Sequence, residues 1–215
     1  MQDISPVTIF IIAANVLFSY KGFNDYSFFH RYCFKVGAIQ QGERLRALSS
    51  AFLHINTTHL FVNMLTLYFF ANAVIAYLGV TGFIGVYFGS LLLGNILSLY
   101  FHKDEPQYTA VGASGAVVGV LYASILLQPD MMLGLFFIIP LPAYVFGIGY
   151  LLYSIWAMQR GRDNIGHDAH FGGAMGGFFI TIILSPWVLQ AHVLMVVLLL
   201  IPIVLLFVLK KMGKL

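Results

Sequence analysis

Val111-Gly-Ala-Ser-Gly-Ala-Val-Val-Gly-Val-Leu-Tyr-Ala-Ser-Ile-Leu-Leu127 contains no Asp, Glu, Lys or Arg. Six more stretches share that property: Pro6–Tyr20, Thr58–Gly79, Thr81–Phe101, Met131–Met158, Ala169–Leu184 and Trp187–Leu209. A helix that crosses a bilayer needs about 20 mostly apolar residues, within a range of about 17–25. Most of the runs fit that length. The composition of the 215-residue chain agrees: hydrophobic residues are 60%, charged residues only 9%, and mean hydropathy is +0.89. A water-soluble domain carries roughly 25% charged residues, because its surface faces water. The fold class expected is an all-α polytopic membrane protein, one membrane domain over residues 1–215 in contact with the lipid bilayer. The net charge of +3 comes from few residues with no basic stripe, so a nucleic-acid partner is excluded. The single cysteine, Cys33, excludes an internal disulfide and a Cys-based zinc site. No basic region precedes the first apolar run, which therefore does not read as a cleaved signal peptide.

All the charges fall between the runs. The longest connection, 21–57, carries Lys21, Asp25, Arg31, Lys35, Glu43, Arg44 and Arg46. A connection of that length is expected to hold structure of its own. Phe28, Phe29, Tyr32 and Phe34 point to a piece lying in the membrane interface. The first and sixth runs are short and borrow uncharged neighbours. The fifth is long and contains Pro140 and Pro142, so its helix is expected at or after that pair. The seventh follows the very short connection Ser185-Pro186 and reads as a full span or as partly interfacial. No internal repeat suggests the duplicated halves of transporters.

Polar residues are costly in a membrane span and usually face the protein interior or a water-filled cavity. The second run opens with His59-Leu-Phe-Val-Asn63, the fourth with Gly112-Ala-Ser114-Gly115, and the sixth with Ala169-His170-Phe-Gly-Gly173-Ala-Met-Gly-Gly177. Spans alternate in direction, so these three starts share one side of the membrane at similar depth. A lone serine there mostly bonds to its own backbone, and a lone histidine mostly serves helix packing. The glycine pattern changes the balance. Gly115 and Gly119 form GxxxG in the fourth run, as Gly173 and Gly177 do in the sixth. Small faces let two helices approach closely, which would bring Ser114 within hydrogen-bond reach of His170, as a serine nucleophile requires of its base. His59 and Asn63, four apart, lie on one helix face. Backbone N–H groups at the helix start around Ser114 lack intrahelical partners. Both sets could serve a developing oxyanion.

HxxxN in the second run, GxSG in the fourth and AHxxGxxxG in the sixth together resemble the rhomboid family of intramembrane serine proteases. Arg46 and His54, eight residues apart before the second run, match that family's first loop. The resemblance covers roughly Lys21 to Leu184. It implies a six-helix core over 6–184, including the long loop 21–57, with an additional C-terminal hydrophobic helix at 187–209. It also implies Ser114 as nucleophile and His170 as general base, with no third acidic residue and no cofactor. His59, Asn63 and the backbone of Ala113 and Ser114 would line the oxyanion hole. Gly112, Gly115, Gly119, Gly173 and Gly177 would serve helix packing, and Arg46 and His54 loop structure. Substrates would be membrane-anchored proteins cut in or near their spans. Asp168, two residues before His170, should point to another helix face. The chain departs from the family pattern at Leu45, where a tryptophan is frequent, and at 75–79, which lacks an acidic residue. It departs again at Val118, where an aromatic residue often supports the histidine.

Two alternatives accompany this reading. One is a catalytically inactive relative that binds membrane segments. The other is a metal site built from His54, His59, His167 and His170, although no H-E-x-x-H pattern occurs. Orientation is opposed by two arguments. With seven spans, Lys21, Arg31, Lys35, Arg44, Arg46, Lys103, Arg160, Arg162, Lys210, Lys211 and Lys214 all lie on the side of the candidate site, and Asp3 and Asp130 on the other. The positive-inside rule would place that side in the cytoplasm. Resemblance to bacterial rhomboids implies a site opening outward from the cell (inner) membrane, which is the expectation adopted. Cys33, the only thiol, would serve as its probe.

Overall fold

A computed structural model describes residues 4–135, 139–160 and 165–215. Asp3 and Arg162 from the charge tally, and residues 136–138 of the fifth run, lie outside them. The described chain is an all-α polytopic membrane fold with two small two-stranded additions. Helix α1 (Pro6–Asn24) begins at proline, whose fixed φ and missing N–H suit the first helical turn. It takes in four residues beyond the uncharged run, ending with Lys21 paired to Asp25 at 3.1 Å.

The long connection is structured, as its length required. It holds α2 (Tyr26–Tyr32), strand β1 (Phe34–Lys35), α3 (Val36–Gln40), α4 (Arg46–Ser49) and a 3₁₀ turn at Ser50–Phe52. Strand β1 pairs antiparallel with β2 (Thr109–Ala110), and Gly37 N–H donates to Pro106 O at 3.0 Å. These bonds join the first loop to the loop at 102–110.

Helix α5 (Thr57–Phe101) contains both the second and third runs. Straight, its 45 residues would reach about 68 Å at 1.5 Å per residue, about twice a bilayer core. It is interrupted at Gly79, whose φ of 69° and ψ of 176° lie in a region essentially open only to glycine. Neighbours show that the two arms run in opposite directions. Beside the first arm, His59 abuts Gly112 and Ser124 Oγ donates to Phe70 O, so that arm runs parallel to α6 (Ser114–Leu127). Beside the second, Gly89 faces Ile180 and Gly94 faces the Ala169 carbonyl, so that arm runs antiparallel to α8 (His167–Leu184).

The fifth run differs from one continuous helix. Strands β3 (Met132–Leu135) and β4 (Ile139–Pro142) pair antiparallel, and α7 (Ala143–Arg160) begins directly after Pro142. Pro140 and Pro142 lack an N–H and fix φ, so the helix cannot extend back through them. The seventh run divides at His192 into α9 (Val188–Ala191) and α10 (Val193–Lys211). Helix α10 is long and apolar enough to cross a membrane and packs chiefly against α7.

Helix α6 lies at the centre. After Ser114 every one of its residues is buried, among α5, α7, α8 and α10. This explains why it is apolar all round with no amphipathic stripe. Its 14 residues span about 21 Å, less than the roughly 30 Å hydrocarbon core. A helix enclosed by protein need not span that core. Its first residue can therefore start below the surface.

Candidate active site

The chain into α6 turns at Gly112, where φ is 131°. A Cβ there would come within 2.7 Å of the His59 ring. Gly112 N–H is tied to Ser50 O at 3.0 Å. Gly112 is therefore a turn residue ahead of the helix: its backbone conformation requires glycine, and the missing Cβ leaves room for the His59 ring of α5. Gly115, Gly119, Gly173 and Gly177 do form the contact of α6 with α8. A Cβ on Gly173 would overlap the Gly115 carbonyl, and one on Gly177 that of Gly119. Backbones at that separation put the starts of both helices side by side. Ser114 Oγ lies 2.7 Å from His170 Nε2, a good length for a bond between hydroxyl and imidazole.

The other face of His170 is turned to α7. Tyr150 Oη lies 2.5 Å from His170 Nδ1, and the two rings are 5.6 Å apart at 39°. Tyr150 was not singled out from the sequence. Its signal was a phenol inside an uncharged run, one helix face with Gly147 and Ser154. Asp168 turns elsewhere, as its helical offset requires: its Oδ2 is 3.7 Å from His102 Nε2. His102 also meets Glu105 at 3.2 Å and stacks on Tyr108 at 3.6 Å. Burial lowers the His102 pKa, but the Asp168 and Glu105 carboxylates outweigh it and hold it above the usual histidine value.

His59, Asn63, Ser114, Tyr150 and His170 all face one cavity of about 1150 Å³. Asn63 is buried, and its Nδ2 has no hydrogen-bond partner among the described residues. Leaving a buried donor unmade costs about 1–3 kcal/mol, and here that donor borders the cavity holding Ser114. The expected set of donors is altered at Ala113. Its N–H points to His54 Nε2 at 3.5 Å, because His54 is fixed from the other side. Ser19 Oγ donates to Phe52 O and so accepts from His54 Nδ1 at 2.9 Å. That leaves Nε2 as the acceptor. Burial, with His59 nearby, pushes the His54 pKa down to about 3, so His54 is a neutral strut between α1 and the turn before α6.

Arg46 works at the surface of the same loop. Its guanidinium donates to His30 O at 2.7 Å, to Cys33 O at 3.1 Å and to Glu43 Oε2 at 2.7 Å, closing α2 onto α4. Cys33 itself is 2% exposed, and burial raises its thiol pKa despite Arg46 and Lys35 nearby. The expectation that Cys33 reports orientation is corrected on that ground: a thiol must be accessible and ionised to react. The four histidines of the metal alternative fall into two pairs. His54 and His59 rings are 4.9 Å apart, His167 and His170 6.0 Å. No three His, Cys, Asp or Glu side chains converge among the described residues.

The rhomboid domain family model matches residues 41–187. "RHOMBOID-like protein 12, mitochondrial" of Arabidopsis thaliana is 29% identical over 190 residues, covering 81% of this chain and 56% of the relative. The human "Presenilin-associated rhomboid-like protein, mitochondrial" is 32% identical over 138 residues, 61% of this chain and 36% of that protein. "Rhomboid protein 1, mitochondrial" of Saccharomyces cerevisiae is 31% identical over 139 residues, 62% and 40% respectively. The chain thus spans about half or less of the length of these relatives. With a family match across most of its membrane-embedded helices, the chain belongs to the rhomboid family.

Proposed function

We propose that this protein is an intramembrane serine endopeptidase cleaving peptide bonds in or near the transmembrane segments of membrane-anchored substrates. The observation that carries the reading is the 2.7 Å contact of Ser114 Oγ with His170 Nε2, bordering an open cavity. In this reading Ser114 Oγ attacks the scissile carbonyl carbon while its proton passes to His170 Nε2. The carbonyl electron pair moves onto oxygen, where Asn63 Nδ2, His59 and the Ser114 N–H are placed to donate. Collapse re-forms the carbonyl, breaks the C–N bond and returns the proton from Nε2 to the leaving amine. Water admitted through the cavity then hydrolyses the acyl-enzyme by the same steps. A helical substrate shields its carbonyls in intrahelical bonds, so it must unwind at the cut, and helix-weakening residues there favour cleavage.

The unit assigned to this chemistry is residues 6–184, with 187–209 as an addition whose longer helix, α10, lies against α7. The reading also places the cavity on the outer face of a cell membrane. The curated relatives bear mitochondrial names, and that location is theirs. The test is incubation of purified protein and its Ser114→Ala variant with a single-span substrate in detergent. Cleavage by the wild type and none by the variant is expected. Equal products from both would overturn the reading and favour a non-catalytic relative that binds membrane segments.

A further inference from the structure

Among the described residues, two side-chain bonds join α7 to α8 beside the nucleophile. Tyr150 Oη meets His170 Nδ1 at 2.5 Å, and His167 Nδ1 meets Ser154 Oγ at 3.0 Å. Tyr150 and Ser154 are four apart on one helix, and His167 and His170 three apart on the other, so each pair shares a face. The height of Tyr150 is set from a third helix. Tyr122 Oη on α6 donates to Gly147 O at 2.9 Å, and Gly147 sits so close to α6 that a Cβ would come 2.8 Å from Ile125 Cδ1. The helix bearing Ser114 is thereby pinned to the helix bearing Tyr150, one turn below the phenol.

We propose that Tyr150 is the positioning residue of the base: its phenol oxygen accepts Nδ1–H of His170 and holds the imidazole with an unprotonated Nε2 toward Ser114. This rests on the serine-protease reading above. A neutral imidazole carries one proton, and the nitrogen that takes the serine proton must be the bare one. The proton then sits on Nδ1 and needs an acceptor, a role a carboxylate fills in three-membered catalytic units. Among the described residues no carboxylate is bonded to His170. Among the described residues, His170 meets Ser114 from α6, Tyr150 from α7 and His167 on its own helix, while Asp168 is turned to His102. A phenol suits the place, since it stays neutral at pH 7 and adds no buried charge to a membrane span. Its ring also walls the imidazole from α7, where Val118 on α6 offers no aromatic surface.

Tyr150→Phe keeps the ring and removes only the acceptor. Its expected effect is a loss of about 10- to 100-fold in kcat, part of what general base catalysis supplies, with KM and thermal midpoint near wild type. The acid limb of its pH profile should move to lower pH, because an imidazolium without an acceptor at Nδ1 is less stable. Ser154→Ala, which loses the other bond between the helices, should keep wild-type kcat. A wild-type kcat and pH profile in Tyr150→Phe would overturn the positioning role while leaving the protease reading intact. An equal loss in Ser154→Ala with no shift of the limb would overturn it too, assigning the effect to helix docking. Cleavage by wild type no greater than by Ser114→Ala would instead remove the reading beneath it. Nitrogen-15 spectra of histidine-labelled protein test the inference without turnover. His170 is expected to be protonated on Nδ1 at neutral pH, with mixed tautomers in Tyr150→Phe. A bare Nδ1 in the wild type would overturn the proposal.

Discussion

Each polar side chain at the candidate site is held by a bond on the side away from the cavity or is left without one. His54 is held by Ser19, and the His170 ring by Tyr150. Asn63 Nδ2 and His59 Nδ1 are the exceptions, buried and with no partner among the described residues. A buried amide donor with no protein partner is free to meet an acceptor that enters the cavity during turnover. Asn63→Ala should therefore lower kcat with little change in KM. Removing one such donor costs on the order of 100- to 1000-fold in soluble serine proteases. About 10- to 100-fold is expected here, since His59 and the Ser114 N–H remain. Its thermal midpoint should not fall, because no bond is lost. Steady-state cleavage of a single-span substrate measures the first, and thermal unfolding in detergent the second. Wild-type kcat in both Asn63→Ala and His59→Ala would reduce the pair to packing residues.

At the scale of elements, the contact of α6 with α8 decides whether the residues meet at all. Gly173 and Gly177 sit against the carbonyls of Gly115 and Gly119, where an added Cβ has no room. The obstacle is backbone, which cannot rotate away as a side chain can, so even alanine must push the helices apart. Overpacking of this kind typically costs about 1–3 kcal/mol. A displacement of about 1 Å can lower turnover on the order of 100-fold. Gly173→Ala, nearer the Ser114–His170 pair, should lose more activity than Gly177→Ala, although neither residue reacts. Full activity in Gly173→Ala would show that the two helices can separate there without moving the base from the serine.

For the whole molecule, Glu105 of the loop at 102–110 and Lys210 at the end of α10 line the cavity, and the alternation of spans puts the first-loop charges on the side of its mouth. The positive-inside rule, followed strictly, would turn that mouth inward. Much of this charge has a structural partner, however. Arg46 closes the first loop, Lys21 pairs with Asp25, and Lys210 lies 3.7 Å over the Phe101 ring. Because Cys33 is buried, orientation is better read from Gln41→Cys on a Cys33→Ser background, Gln41 being exposed on the same loop. A membrane-impermeant maleimide should label it in intact cells if the cavity opens outward. Labelling only after permeabilisation would reverse the orientation.

The sequence by itself determined the membrane class, the side on which the polar residues gather, and the pairs of small residues that let two helices touch. Those properties depend on composition and on helical period, both local to the chain. It also placed the start of α7, because Pro140 and Pro142 lack an N–H and fix φ, so that the helix cannot reach back through them. Only the tertiary structure decided that α5 folds back at Gly79, that Gly112 turns the chain against the His59 ring, and that Ala113 gives its N–H to His54. It alone brought Tyr150 to His170 and turned Asp168 to His102, and it alone buried Cys33. The reason is physical. Residues 20 to 66 positions apart meet through the angles and heights at which helices dock, and no periodicity along one helix encodes the height of another.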